Sequence, residues 1–345
     1  MRYIGSKEKL LSNIDKVIEE NVDHASVFCD IFSGTGTVAE HFKDRYQIIS
    51  NDLLYLSYVI QVAKIENDGM PKFEKLRNVI NQDPIDYLNS SAIENVTYDE
   101  SLLFIKNNYS DFGGRSYLTS TNAEKIDKWR LTIEQWNRDG LLTKPEYYYL
   151  VACVVETVPF YSNISGTYGA FLKTWDRRAL KPINLVRLEV KTNNKSNRCY
   201  NRNSDELIKE ISGDILYMDP PYNQRQYLPN YHVLETVAKY DYPEIHGNTG
   251  LREYSSQKSD WCKRSTVANA FENMVKNAKF THILLSYNTD GLMSVDEIVS
   301  IMNKYSENGE TKVYRIPYTR FKSRALKNTS ELSELIFYIR KANHD

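Results

Sequence analysis

Apolar residues at Leu10, Leu11, Ile14, Val17 and Ile18 recur at helical spacing, so the pattern predicts an amphipathic helix over residues 6–20. Residues 26–32 form a short apolar run ending at glycines, which predicts a buried strand. A helix is expected to open over 38–42, and a second short strand over 47–50. Strand, turn, helix and strand in that order make a βαβ unit, the building block of a parallel sheet covered by helices. From 65 to 195 polar and charged residues dominate, with a helix beginning near Tyr147. Strand signals return at 215–218 and 282–287, and the segments 312–317 and 334–339 predict an antiparallel pair at the sheet edge. The expected fold class is α/β, a doubly wound and mostly parallel sheet with an antiparallel edge. Residues 1–64 and 196–345 would form one domain, interrupted by a mainly helical insert over 65–195.

Composition narrows this little. The 345 residues are 41% hydrophobic and 26% charged, as in a globular chain rather than a disordered one. No apolar run approaches the ~18 residues of a membrane-crossing helix. The segment Met1-Arg2-Tyr3-Ile4-Gly5-Ser6-Lys7 lacks the apolar centre of a secretory signal, so a cytoplasmic protein is expected. Cys29, Cys153, Cys199 and Cys262 lie far apart without CxxC spacing, so reduced thiols are expected and no metal site. A net charge of -1 excludes a polybasic chain but not a local basic face.

The chemistry begins at Asp30-Ile31-Phe32-Ser33-Gly34-Thr35-Gly36-Thr37-Val38-Ala39, between a predicted strand and a predicted helix. Glycines at 34 and 36 let the backbone turn sharply and approach a ligand without a Cβ in the way. Asp52 follows the next strand, where an acid can grip ribose hydroxyls. The pattern points to a nucleoside-bearing cofactor, either a nicotinamide dinucleotide or S-adenosylmethionine.

Asp219-Pro220-Pro221-Tyr222 follows the strand predicted at 215–218. Two prolines make the turn rigid and remove two backbone donors, which leaves carbonyl acceptors beside a carboxylate and a flat ring. Acceptors beside a ring suit a planar group bearing an exocyclic amine. The carboxyl end of a strand is where open α/β sheets bind ligands.

These motifs, in this order, resemble the alpha-group, Dam-like class of adenine-N6 DNA methyltransferases. The run from Asp219 through Gln226 and Tyr227 to Asn230-Tyr231-His232 resembles the members found in restriction–modification systems. The resemblance implies an S-adenosylmethionine-dependent methyltransferase fold with the insert reading the target sequence. It places Lys7 near the methionine carboxylate of the cofactor and Asp30 at its amino group. Phe32, Ser33, Gly34, Thr35 and Gly36, with Tyr3, would line the pocket, and Asp52 would bind the ribose. Asp219 and the Pro220 carbonyl would accept from the target N6 amine, held by the rigid Pro221, while Tyr222 stacks on the flipped base. An acid usually lies near the cofactor adenine; here Asn203 occupies that slot and Asp205 follows, so either is a candidate.

Direct transfer to a positioned amine needs no covalent intermediate. Cytosine-C5 chemistry needs a thiolate, typically after proline, and none of the four cysteines follows one. Residues 173–202 hold nine basic residues against Asp176 and Glu189, and residues 312–327 hold six with no acid. Both runs suit phosphate contacts, with Lys173, Arg177 and Arg178 as candidates, and Arg225, just after the Asp-Pro-Pro-Tyr turn, is a further one. The stretch 167–175 offers either a groove-entry loop or a packed aromatic patch. His232 and Glu235, a helical step apart, read as a structural pair. The expected partner is double-stranded DNA, with a cognate endonuclease acting separately and the chain working as a monomer. A nicotinamide dehydrogenase would leave the Asp-Pro-Pro-Tyr turn unexplained. An RNA or protein-amide methyltransferase would not need the N-terminal motif, and a non-catalytic relic would have lost Asp219, Tyr222 or Gly34.

Overall fold

A computed structural model describes residues 7–317 and 333–342. The chain forms two compact units. One contains residues 7–53, Lys195–Gln226 and the described residues from Lys258 onward; the other contains Leu54–Asn194 and Tyr227–Gln257.

The first unit is built on a seven-stranded sheet. In chain order its strands are β1 (Val27–Asp30), β2 (Gln47–Asn51), β3 (Arg198–Tyr200) and β4 (Ser212–Met218). A small antiparallel hairpin, β5 (Ile245–His246) and β6 (Leu251–Arg252), belongs to the other unit. The sheet resumes with β7 (Lys279–Asn288), β8 (Lys312–Pro317) and β9 (Ser333–Arg340). The spatial order is β3-β2-β1-β4-β7-β9-β8. Strands β1, β2, β3, β4 and β7 are parallel, and β9 runs antiparallel between β7 and β8. The expected doubly wound sheet with an antiparallel edge pair is therefore present. Its strands read as apolar runs because their side chains are buried: Ile215, Leu216, Ile283, Leu284 and Leu285 are inaccessible to solvent.

The topology switches direction at β1, with β2 on one side and β4 on the other. A crevice opens at such a point beyond the carboxyl ends of the strands. The segments leaving β1 and β4 carry Asp30 and Asp219, so the sheet brings the two sequence motifs to one end.

The second unit is mainly helical. Its long helices Ser120–Arg138 and Lys144–Thr157 pack with Tyr55–Gln61 and Leu228–Lys239 around Val59, Trp129, Val151 and Leu234. Thr143 starts one helix with a capping box, accepting from the Glu146 amide while Glu146 accepts from the Thr143 amide. The units are not divided at 64/65 and 195/196 alone. Leu56, Val59, Ile60 and Ala63 bury their apolar face in the helical core, as do Val233, Leu234 and Val237. Composition shifts at 65, but packing recruits the flanking helices. Among the described residues no helix is long and apolar enough to cross a membrane.

Candidate active site

Beyond β1 the chain makes the glycine turn. The Gly36 amide donates to the Ser33 carbonyl at 2.8 Å, and the Ser33 amide to the Asn51 carbonyl at 2.9 Å. Gly34 and Gly36 have φ of 54° and 84°, left-handed values that disfavour side chains. The Gly34 amide donates to Asp52 Oδ2 at 2.9 Å, so Asp52 props the turn. Asn51, not singled out in the sequence, ties three strand ends together. Its amide donates to the Ile31 and Arg202 carbonyls, and its oxygen accepts from the Arg202 amide.

Asp30 is 1% exposed. Burial, with the charges of Asp219 and Asp52, pushes its carboxyl up to about 8 against the lowering pull of the Ala39 amide. Its Oδ1 and the Ser33 hydroxyl have no hydrogen-bond partner among the described residues. Buried polar atoms are rarely left so. A carboxylate oxygen in that state fits the ammonium group of a ligand.

Phe32 lies edge-on to Trp261 with ring centroids 4.9 Å apart, and Trp261 Nε1 donates to Asp205 Oδ1 at 3.0 Å. Burial raises the Asp205 acid, opposed by that indole hydrogen bond. Asn203 caps the helix Ser204–Leu207, its Oδ1 accepting from the Asp205 amide at 2.8 Å. Asn203 is exposed, whereas Asp205 is half-buried beside an aromatic pair. Trp261 is a further residue that sequence reasoning passed over, because nothing in its neighbourhood marks it as close to Phe32.

At the end of β4, Asp219 Oδ1 lies 3.2 Å from Lys7 Nζ. Lys7 Nζ also lies 3.4 Å from Glu334 Oε2 on β9. Burial raises Asp219 to about 6, with Lys7 pulling it down and Glu334 pushing it up. Burial pulls Lys7 the other way, but Asp219 and Glu334 outweigh it and its ammonium is held above its ordinary value. The Tyr222 ring centroid is 6.0 Å from Lys7 Nζ, and its carbonyl accepts from the Leu292 amide at 3.0 Å. Pro220 is buried and Pro221 partly so. Tyr3 lies outside the described residues.

The basic candidates differ among themselves. Lys173, Arg177, Arg178 and Arg225 are all exposed. Arg178, however, donates to the Ser162 and Ile164 carbonyls at 3.3 and 3.1 Å and pairs with Asp176 at 3.3 Å, which clamps its own loop. Elsewhere in the basic run, Arg187 pairs with Asp83 and Asp86, and Arg202 with Glu210. Acids outside the run, Asp83 and Asp86 far off in the chain and Glu210 just beyond its end, thus cut the positive field that the local sequence implied. Of the run over 312–327, residues 318–327 lie outside the described residues. In the stretch 167–175, Tyr168 is buried and Phe171 packs on Tyr117 at 5.1 Å, while Gly169, Ala170, Lys173 and Thr174 are exposed.

His232 and Glu235 are structural. Burial lowers His232 to about 4, so it is neutral, and its Nε2 lies 2.9 Å from the Tyr168 carbonyl. Glu235, fully buried, accepts from the Tyr55 and Leu56 amides at 3.1 and 2.8 Å, capping their helix from a distance. All four cysteines are buried thiols outside any disulfide, and Cys199 Sγ accepts from the Ser50 hydroxyl at 3.1 Å.

The profile of the D12 class N6 adenine-specific DNA methyltransferases matches residues 3–301. The chain belongs to this family. As a D12 methyltransferase it is 48% identical over 344 residues to the Type II methyltransferase M.FokI of Planomicrobium okeanokoites, covering 99% of this chain and 53% of that protein. It is 40% identical to the modification methylase StsI of Streptococcus sanguinis, over 99% of this chain and 52% of the relative. The Type II methyltransferase M.NlaIII of Neisseria lactamica is 36% identical, over 98% of this chain and 97% of its own length. This D12 chain therefore spans about half the length of the first two relatives and nearly all of the third.

Proposed function

We propose that the chain is a site-specific DNA methyltransferase that transfers a methyl group from S-adenosylmethionine to N6 of an adenine flipped out of duplex DNA, within a restriction–modification system. The observation that carries this reading is the Lys7–Asp219 pair at the head of the Asp-Pro-Pro-Tyr turn, 3.2 Å apart. When bound, S-adenosylmethionine supplies an electrophilic methyl group on a positively charged sulfur.

The chain's own residues would divide the work as follows. Asp30 offers its partnerless Oδ1 to the cofactor amino group. Asp52 faces the ribose while propping Gly34. Ser33, Gly34, Thr35 and Gly36 form the loop around it, and Phe32 with Trp261 and Asp205 forms the wall toward the adenine. Asp205 takes the acid's role there, since Asn203 spends its oxygen on a helix cap. Lys7 acts on Asp219 rather than on the methionine carboxylate, because its ammonium already lies between two protein carboxylates.

Adenine N6 is a weak nucleophile because its lone pair is delocalised into the ring. Asp219 and the Pro220 carbonyl accept its two hydrogens and favour a pyramidal nitrogen whose lone pair points at the methyl group. Such positioning and electrostatic stabilisation supply most of the acceleration. One N6 proton must leave after transfer, and a carboxylate held near 6 can take it and release it to solvent. Tyr222 stacks on the base, offsetting part of the few kcal/mol that flipping costs. The sheet unit would hold the cofactor, and the helical unit would read the DNA with Lys173 and Arg177. A cognate endonuclease would act separately, with this chain a monomer.

The test is transfer of a tritiated methyl group from S-adenosylmethionine to unmethylated duplex DNA, RNA and protein, followed by nucleoside analysis. Label in N6-methyladenine of DNA is expected. Label in RNA or protein alone would overturn the reading.

A further inference from the structure

The third member of the Lys7 cluster has no role in the reading above. Glu334 sits at the start of β9, the one strand that runs antiparallel beside β7, where Asn288 pairs with Glu334 and Leu285 with Phe337. Leu285 in turn pairs with Met218, the residue before Asp219. An antiparallel strand begins where its parallel neighbours end, so β9 delivers Glu334 to the catalytic end of the sheet. The ladder on both sides of β9 fixes this placement.

The Glu334 side chain is 18% exposed, as is that of Asp219, and Lys7 between them is 6% exposed. Two carboxylates thus share one ammonium, at 3.2 and 3.4 Å, in a half-dry site. Tyr222 is the other titratable group against Lys7, and Asp30 and Asp52 are the acids on the neighbouring strand ends. The cluster therefore has more acids than cations.

We propose that Glu334 is a positioning residue for methyl transfer, which divides the Lys7 ammonium between two carboxylates and so leaves Asp219 a stronger acceptor for the substrate amine. A lysine paired with Asp219 alone would draw more of its electron density into one hydrogen bond. Shared with Glu334, the same lysine orients Asp219 Oδ1 and withdraws less. Glu334 adds its own negative field, which also favours a hydrogen-bond donor at Asp219. The inference rests on Asp219 being the acceptor in the proposed reaction.

The experiment is the single-turnover rate of methyl transfer to duplex DNA as a function of pH, for wild type, Glu334→Gln, Glu334→Asp and Asp219→Asn. Glutamine keeps the size of Glu334 and an oxygen for Lys7, and a melting temperature checks that the fold is retained. The acidic limb of the Glu334→Gln profile should move to lower pH by about one unit, the effect of removing a like charge in a partly buried site. Its plateau should fall severalfold with little change in cofactor affinity. Glu334→Asp, which keeps the charge, should return the limb toward wild type. A limb that stays in place or moves to higher pH in Glu334→Gln would overturn the proposal, because Glu334 would then serve only to seat Lys7. Asp219→Asn separates the two levels. If it is inactive while Glu334→Gln is unmoved, only this inference fails; if it transfers at the wild-type rate, the underlying reading fails and takes this one with it.

Discussion

Asp52 Oδ2 accepts the Gly34 amide at 2.9 Å. One carboxylate thus fixes the glycine turn, and in the proposed site the same carboxylate faces the ribose. Asp52→Ala removes both functions and leaves the Gly34 amide without its acceptor, a loss of about 1–3 kcal/mol for a hydrogen bond to a charged group. Affinity for S-adenosylhomocysteine, measured by calorimetry, is expected to fall about ten- to a hundredfold.

Asp30 gives a sign to the pH dependence. Its carboxyl is held at about 8 in the folded protein, against 3.8 ordinarily. The folded state therefore keeps a proton that the unfolded chain has released, and stability without cofactor is expected to decline as pH rises from about 4 to about 8. An ammonium group docking on Asp30 favours the ionised form. Cofactor binding near neutral pH should then release about one proton from Asp30. Calorimetry in two buffers of different ionisation enthalpy measures it, and Asp30→Asn should abolish the release.

Much of the candidate site is local chain, and that part is legible in the sequence. The glycine turn and the Asp-Pro-Pro-Tyr turn each show strand, turn and acid within a few residues. The sheet, with its antiparallel edge, follows from apolar runs of strand length. What was not legible depends on long-range packing. Lys7 and Glu334 are 327 positions apart. Trp261 reaches Asp205 across 56. The charge of the 173–202 run is partly neutralised by Asp83 and Asp86, which no local count could reveal. The helix Leu228–Lys239 begins six positions after Tyr222 of the Asp-Pro-Pro-Tyr turn, yet its apolar side chains are buried in the helical unit.

Glu235 should be a stability residue. It is buried and accepts two backbone amides at the start of the helix Tyr55–Gln61, together with Gln257 Nε2. Glu235→Ala leaves those donors orphaned, and a cost of about 3 kcal/mol is expected in denaturant unfolding. Glu235→Gln, which keeps one acceptor oxygen, should cost less.

The exposed cations separate by their engagements. Lys173→Ala and Arg177→Ala should each lower the slope of log affinity against log salt by about one, as loss of one phosphate contact does. Arg178 holds the Ser162 and Ile164 carbonyls. Its alanine variant should lower the melting temperature and leave the slope nearer to wild type.

The most direct test of the account is the single-turnover methyl-transfer rate of Asp219→Ala on duplex DNA, read beside its cofactor affinity. A rate reduced at least about a hundredfold is expected, as for loss of a preorganised polar group at the reacting atom, with cofactor affinity within about threefold of wild type. A rate within severalfold of wild type would contradict it, because the amine would then be activated without Asp219.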